Sequence, residues 1–373
     1  MFQYSLLSSA VDTFEPVAKW LTVCVLAGLI VLCTVVFFAR RSAFPQCIKY
    51  VLVGLFLYLL ALAIAFFALD IAKHYSDEYV EENWLDKQAL VQYLLLPLII
   101  LLSLTFLSVT AFLIVGKYKP STKRLCAIIG GVLVFAAFAA VLVCLSVYYN
   151  EKIANDGYYN SDDATVKQLA LYISAVLTIA AIIGLAFTDK GNLRFDSRAL
   201  AYAGVCVSMS FALSYIKLWD MPNGGSVTLV SLLPLMLFSY AFGAKKGVFV
   251  GLTYGVLQAV QDPWLIHPAQ FLLDYPVAFS AAGLAGLLRP VKRLEKLPQL
   301  SFALSAVLAG GLRFICHVLS GVFAFEAYAI GQNVWAYSLV YNAYVFIDVA
   351  LVIIAGVFVL SSKSFVKTIA KAR

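Results

Sequence analysis

Long apolar stretches separated by short polar loops run along almost the whole chain. A helix needs about 20 apolar residues to cross the hydrocarbon core of a bilayer. Runs of roughly that kind occupy residues 20–39, 51–69, 94–115, 125–148, 169–187, 199–218, 227–242, 247–260, 269–288, 302–323 and 337–360. The pair 227–242 and 247–260 is short and closely linked, so it also fits one broken hairpin. The pattern predicts an all-α, polytopic membrane bundle of about 11 transmembrane helices.

The basic residues are concentrated in alternate loops. If the N-terminus is outside, 20 of the 27 Lys and Arg residues lie on the inner side. The two longest outer loops are acidic, with six carboxylates between Asp70 and Lys87 and four between Glu151 and Asp163. Because Lys and Arg are enriched in cytoplasmic loops, we expect a multi-pass protein of the cell membrane. Its N-terminus would be outside and its C-terminus cytoplasmic.

Composition excludes most other classes of protein. Hydrophobic residues make up 63% and charged residues 13% of the chain, against about 45–50% and about 25% in soluble domains. The net charge of +7 lies in the predicted inner loops, so it reports orientation in the lipid and indicates no nucleic-acid partner. The seven cysteines show no metal-ligand spacing. Without a phosphate-binding GxxxxGK[ST], an HExxH or a GxSxG motif, we expect no catalytic residue, no metal and no cofactor.

A polar segment near residue 190 divides the chain. The linker DKGNLRFDSR, residues 189–198, has the composition of a domain boundary. We therefore predict a five-span extension over residues 1–190 and a six-span domain over residues 191–373. The last six spans carry the intramembrane ionisable groups Asp274, Arg313, His317 and Asp348.

These intramembrane groups are the first candidates for chemistry. A charge at the bilayer centre costs about 2.5–3.5 kcal/mol on insertion scales, so it is retained mainly for function. Arg313 and His317 are four residues apart and share a helix face. In the alternative interpretation, Asp274 or Asp348 pairs with Arg313 only to hold the bundle together.

Aromatic and turn-forming residues surround the same region. Residues 217–226 form a turn-rich segment that is suited to cover a cavity mouth. Tyr337, Tyr341, Tyr344 and Asp348 form one helical stripe. Aromatic faces beside a carboxylate favour a flat organic cation, because each desolvated cation–π contact contributes about 0.5–2 kcal/mol.

Several strings resemble the thiamine-specific S-components of energy-coupling-factor transporters. They are MPNGGSVTL at 221–229, GLTYGVLQ at 251–258, HPAQFLLDYPVAF at 267–279, and the later RFICHVLSGVFAF and WAYSLVYNAY. The resemblance covers about residues 198–361. It implies a six-helix subunit that binds thiamine with high affinity from outside. A transmembrane coupling subunit and two ATPase subunits would then drive its release inward.

The resemblance also implies residue roles by matching position. The thiamine site would comprise Trp264, His267, Gln270, Asp274, Tyr275, Arg313, His317, Phe325, Tyr337 and Asn342. The polar members would hold the aminopyrimidine ring, and Trp264, with Phe325 or Trp219, would stack on the thiazolium. Ala199 and Ala203 match the small-residue motif that docks on the coupling subunit. The predicted five-span extension is a departure from the family, whose members usually have the six helices alone. It could be an accessory bundle without a site, a docking surface for the coupling module or a second, fused function.

Other classes of function stay open at this point. One is an ion-driven carrier for thiamine or another flat heterocycle. A second is a membrane enzyme that uses Asp274 and His317 as an acid–base pair. A third is a vitamin sensor that signals through its N-terminal half.

Overall fold

Most of the predicted apolar runs form helices in the computed structural model, which describes residues 2–74, 91–149, 164–261, 264, 267–329 and 331–370. Within these residues, six helices are long and apolar enough to cross a membrane: Pro16–Ala39, Val91–Tyr118, Pro120–Tyr148, Gln168–Thr188, Pro298–Ala324 and Val334–Leu360. The chain is therefore an all-α polytopic membrane protein, while the count of eleven crossings stays a prediction. The acidic loops expected before Lys87 and around 151–163 lie almost wholly outside the described residues.

Five long helices lie in the described residues of the N-terminal part. They are α1 (Phe2–Ala39), α2 (Phe44–His74), α3 (Leu96–Tyr118), α4 (Lys123–Tyr148) and α5 (Ala164–Thr188). A π-helical turn, Val91–Leu95, precedes α3, and a 3-10 turn, Pro120–Thr122, joins α3 to α4. Large apolar side chains such as Phe106 and Phe135 are exposed on these helices, as lipid-facing surfaces require.

The C-terminal part contains more elements, most of them shorter than the N-terminal helices. They are α6 (Ser197–Ser214), β1 (Lys217–Asp220), β2 (Ser226–Thr228), α7 (Leu233–Phe242), α8 (Ala244–Gln261), α9 (Pro268–Leu272), α10 (Ala278–Ala282), α11 (Pro298–Ala324), α12 (Val334–Tyr341), α13 (Tyr344–Leu360) and α14 (Lys363–Ala370). A π-helical turn, Leu273–Val277, joins α9 to α10, and the 3-10 turns are Gly283–Gly286, Lys292–Leu294 and Glu326–Ala329. The predicted runs 199–218 and 227–242 are thus only partly helical, since β1 and β2 pair as an antiparallel hairpin between them.

Close packing against α8 sets the position of the broken helix α9–α10. Pro276 lies within the π-helical turn and cannot donate a backbone hydrogen bond. A Cβ atom at Gly251 or Gly255 would collide with the backbone of Phe279 or Tyr275. The two glycines therefore let the backbones approach closely, and this packing brings Asp274 beside α8.

The N-terminal helices pack directly on the C-terminal part. Leu98 of α3 and Val141 of α4 share one apolar cluster with Val260 and Phe271. At the boundary, the Asp189 carboxylate accepts hydrogen bonds from the amides of Gly191, at 2.9 Å, and of Ala244, at 2.8 Å. The linker is thereby tied to the first residue of α8.

Candidate functional site

A cavity of about 150 Å³ lies among α8, the α9–α10 turn, α11, α12, α13 and the tip of the hairpin. Nine of the ten residues expected at the site line it: Trp264, Gln270, Asp274, Tyr275, Arg313, His317, Phe325, Tyr337 and Asn342. The cavity combines aromatic rings, amides, hydroxyls and ionisable groups. Such a lining suits a small polar ligand with flat rings.

Asp274 is the anchor of the polar side of the cavity. Its Oδ1 atom lies 2.9 Å from Nδ1 of His317. Its Oδ2 atom accepts hydrogen bonds from Gln270 Nε2 at 2.8 Å and from Ser320 Oγ at 2.6 Å. Two residues on α11 and one on α9 therefore hold the carboxylate in a single orientation.

Among the described residues, none is a hydrogen-bond partner of the other nitrogen of His317. Since the ring contacts the Asp274 carboxylate through Nδ1, we assign the proton of the neutral ring to that atom. Nε2 is then an acceptor, and it is buried without a partner. An unpaired buried acceptor costs about 1–3 kcal/mol, so a ligand N–H or O–H at this point would be stabilised.

Arg313 is paired with the second carboxylate of the cavity. Its Nη1 atom lies 3.2 Å from Oδ2 of Asp348, and both side chains are buried. The other oxygen of Asp348 accepts from the amide of Thr228 at 3.3 Å and from its hydroxyl at 3.2 Å. Of the two carboxylates considered for Arg313, Asp348 is therefore the one that pairs with it, whereas Asp274 is paired with His317. Within the part of the chain that the structure describes, the Nε atom of Arg313 is buried without a hydrogen-bond partner.

The hairpin tip is fastened over the cavity by two tyrosines of α12. The amide of Asn223 donates to the Tyr341 hydroxyl at 2.8 Å, and that hydroxyl donates to the carbonyl of Gly224 at 2.9 Å. Asn223 Nδ2 donates to the Tyr337 hydroxyl at 3.0 Å. Asn223, Gly224 and Gly225 line the cavity, so the turn-rich segment covers it as expected.

Aromatic side chains form the remaining walls. Trp264 is held by a hydrogen bond from its amide to the Tyr275 hydroxyl at 2.8 Å, and its carbonyl accepts from Gln270 Nε2 at 2.9 Å. Phe325 also lines the cavity. Trp219, the alternative stacking partner, is 55% exposed on β1 and is not among the lining residues.

His267 lies outside the cavity, in contrast to the expectation. Its Nδ1 atom accepts from the amide of Ala269 at 3.1 Å, which makes it the N-cap of α9. Its ring faces Tyr149 and Tyr172 of the N-terminal helices. Burial lowers the pKa of this imidazole to about 4, so it is neutral near pH 7.

Ala199 and Ala203 differ from the expectation as well. Both point into the chain's own core, with exposures of 0% and 7%, because the face of α6 that carries them packs against α7 and its neighbours. The open side of the helix carries Ala201 and Gly204 instead.

Sequence reasoning missed several lining residues. They include Tyr254, Gln258, Ser320, Tyr328 and Tyr344. Ser320 follows His317 by three residues and Tyr344 belongs to the tyrosine stripe, so helical periodicity carried a signal for both. In the described part of the chain, no group of three or more His, Cys, Asp and Glu side chains is placed to hold a metal ion.

Comparisons with known proteins identify the family of the chain. A family described as "Thiamine transporter protein" matches residues 200–369. Thiamine transporter ThiT of Bacillus subtilis (strain 168) is 40% identical over 132 residues, covering 33% of this chain and 68% of that protein. Thiamine transporter ThiT of Lacticaseibacillus paracasei (strain ATCC 334) is 27% identical over 170 residues, covering 41% of this chain and 82% of that protein. The chain therefore belongs to the thiamine transporter protein family, and it is a membrane transporter and not an enzyme.

Proposed function

We propose that this protein captures thiamine in the cavity beneath the hairpin and delivers it as the substrate-binding subunit of an energy-coupling-factor transporter. The observation that carries the proposal is the Asp274 carboxylate, fixed by Gln270, His317 and Ser320 in an aromatic cavity. Thiamine presents an aminopyrimidine with N–H donors and a flat thiazolium cation. A fixed carboxylate and an unpaired His317 Nε2 acceptor complement the first, and aromatic faces complement the second.

The roles of the lining residues follow from this assignment. Asp274 and His317 would accept hydrogen bonds from the aminopyrimidine, and Arg313 would supply its unpaired Nε–H to a ring nitrogen. Trp264 and Phe325 would stack on the thiazolium. Tyr337 and Asn342 would close the polar side. The mouth of the cavity would face outward, with the N-terminus outside and the C-terminus in the cytoplasm.

Energy for release would come from partner subunits. The chain has no phosphate-binding GxxxxGK[ST] motif, so it does not bind ATP through a P-loop of its own. Each tenfold gain in affinity adds about 1.4 kcal/mol to the step that empties the site. A coupling transmembrane subunit with two ATPase subunits is the partner that the sequence resemblance implies, and we assign that work to it.

The decisive experiment is equilibrium binding of thiamine to the purified full-length chain. We expect saturable binding at micromolar concentration or tighter, with recovery of unchanged thiamine by chromatography. Chemical conversion of the ligand would favour a membrane enzyme instead. Stronger competition from unrelated flat heterocycles than from thiamine would change the assigned substrate.

A second experiment addresses the energy source. Vesicles that contain this chain alone should bind thiamine without accumulating it. Addition of the coupling subunit, both ATPases and ATP should then produce uptake. Accumulation by the chain alone, driven by an ion gradient, would replace the proposal with a secondary carrier.

A further inference from the structure

His267 is one of the residues through which the N-terminal helices contact the helix that leads into the site. Its side chain is only 4% exposed. The imidazole makes edge contacts with Tyr149, which follows α4, at a centroid distance of 4.7 Å, and with Tyr172 of α5, at 4.9 Å. Both tyrosines lie outside the part of the chain, residues 200–369, that matches the thiamine transporter family. The contact is therefore made by the extension on the family domain.

The two sides of this contact are held independently. On the extension side, Gln168 Nε2 donates to the Tyr149 hydroxyl at 2.7 Å, which fixes that ring. On the domain side, His267 Nδ1 accepts from the amide of Ala269 at 3.1 Å and caps the first turn of α9. The capping bond requires a free lone pair on Nδ1, which a neutral imidazole supplies.

Helix α9 connects His267 to residues of the cavity wall. Gln270 lies in its first turn and links the carbonyl of Trp264 to the Asp274 carboxylate. Asp274 follows in the π-helical turn. Binding constellations lose affinity when their geometry moves by more than about 0.5 Å. A shift or rotation of the first turn of α9 would displace Gln270 and Asp274 together.

We infer that His267 is a positioning residue through which the N-terminal extension sets the geometry of the thiamine site. Tyr149 and Tyr172 hold the imidazole, the imidazole holds the first turn of α9, and α9 holds Gln270 and Asp274. This inference rests on the proposed function, because thiamine binding is its readout. It gives the extension a role in substrate affinity without a ligand site of its own.

The test separates the ring contact from the helix cap in the full-length chain. His267→Asn keeps a side-chain acceptor at the N-cap but removes the imidazole between the tyrosines. Tyr149→Leu removes the same contact from the extension side, and Tyr149→Phe restores the aromatic ring alone. We expect His267→Asn and Tyr149→Leu each to raise the Kd for thiamine roughly fivefold or more. Residues in direct contact have interaction energies large enough for such a change.

Two further variants exclude a general loss of stability. The double variant His267→Asn with Tyr149→Leu should bind no more weakly than the weaker single variant, because both break one link. Tyr149→Phe should stay within about twofold of wild type. Leu62→Ala, at a buried residue of α2 in a cluster with Tyr215 that contains no residue of α9, should lower the melting temperature and leave the Kd unchanged.

The outcomes separate this inference from the proposed function. If the wild-type chain does not bind thiamine, the proposed function fails and the inference fails with it. If the wild type binds and His267→Asn binds equally well, only the inference is overturned. Equal weakening by Leu62→Ala, or additive effects in the double variant, would also overturn it. Should His267→Asn fail to fold, the comparison of Tyr149→Leu with Tyr149→Phe decides the question.

Discussion

Asp274 and His317 face each other at 2.9 Å, from carboxylate Oδ1 to imidazole Nδ1, and join the π-helical turn after α9 to the middle of α11. Arg313, one helical turn before His317, pairs instead with Asp348 at 3.2 Å. The cavity thus contains two carboxylates with different partners. One is held by neutral donors and a histidine, and the other neutralises a buried cation. The first two predictions separate these roles.

Asp274→Asn should weaken thiamine binding more than tenfold while the protein stays folded. The substitution removes the negative charge that attracts the cationic ligand, and it leaves the His317 Nδ1–H without its carboxylate acceptor. Tenfold corresponds to about 1.4 kcal/mol. Isothermal titration and a melting curve on one preparation measure both quantities. Asp220→Asn, an exposed carboxylate of the hairpin that pairs with Lys217, is the matched control and should bind normally. Unchanged affinity in Asp274→Asn would remove Asp274 from the site.

The main effect of Asp348→Ala should be a loss of thermal stability. It leaves the Arg313 guanidinium buried without its carboxylate, and loss of one partner from a buried ion pair costs about 3–5 kcal/mol. Thermal unfolding in detergent without ligand measures the effect. Asp348→Ala with Arg313→Met should recover part of the lost stability, because no unpaired charge stays buried. A larger loss in the double variant than in the single one would contradict the pairing.

Tyr341→Phe should speed the release of thiamine. The Tyr341 hydroxyl both accepts from Asn223 and donates to Gly224, so its removal unfastens the hairpin tip. Two hydrogen bonds at about 0.5–1.5 kcal/mol each predict an increase in dissociation rate of about fivefold to a hundredfold. Stopped-flow fluorescence with excess unlabelled competitor measures that rate. Tyr240→Phe removes a hydroxyl that bonds to the carbonyl of Pro298, away from the hairpin, and should release thiamine at the wild-type rate.

Gly225→Ala should impair binding more than Gly224→Ala does. Both glycines have a positive φ, +86° and +85°, so alanine costs about 1–2 kcal/mol at either position. Only at Gly225 would the added Cβ also collide with the Tyr344 hydroxyl, whereas at Gly224 it would make ordinary contact with Trp264. Parallel Kd measurements should rank wild type, Gly224→Ala and Gly225→Ala in order of weakening affinity. Equal effects would mean that backbone strain alone matters.

Gly204→Trp should abolish uptake in cells while thiamine binding by the purified chain stays normal. A side chain at Gly204 meets open space, so the substitution places a bulky ring on the open face of α6 without disturbing the core. If a coupling subunit docks on this first helix of the family domain, the ring blocks it. Gly184→Trp on α5, where a side chain also meets open space, is the control and should transport normally. Full uptake by Gly204→Trp would exclude this face of α6 from docking.

The sequence alone identified the class of protein and predicted many of the residues that line the cavity. Apolar runs of membrane length and the scarcity of charged residues are sufficient for an all-α membrane protein, because the cost of placing polar groups in lipid acts on each segment separately. The motif strings placed Asp274, His317, Tyr337 and Asn342 correctly on the cavity wall.

Only the tertiary structure decided which way the side chains point and which partners they contact. Hydropathy does not distinguish a helix face that packs on protein from one that faces lipid, since both are apolar. For that reason the direction of Ala199 and Ala203 was unreadable from the chain. The partners of Asp274 and His267 lie 43 and 118 residues away, at His317 and Tyr149. Such pairings depend on which helices become neighbours, and that is determined by the packing of the whole bundle.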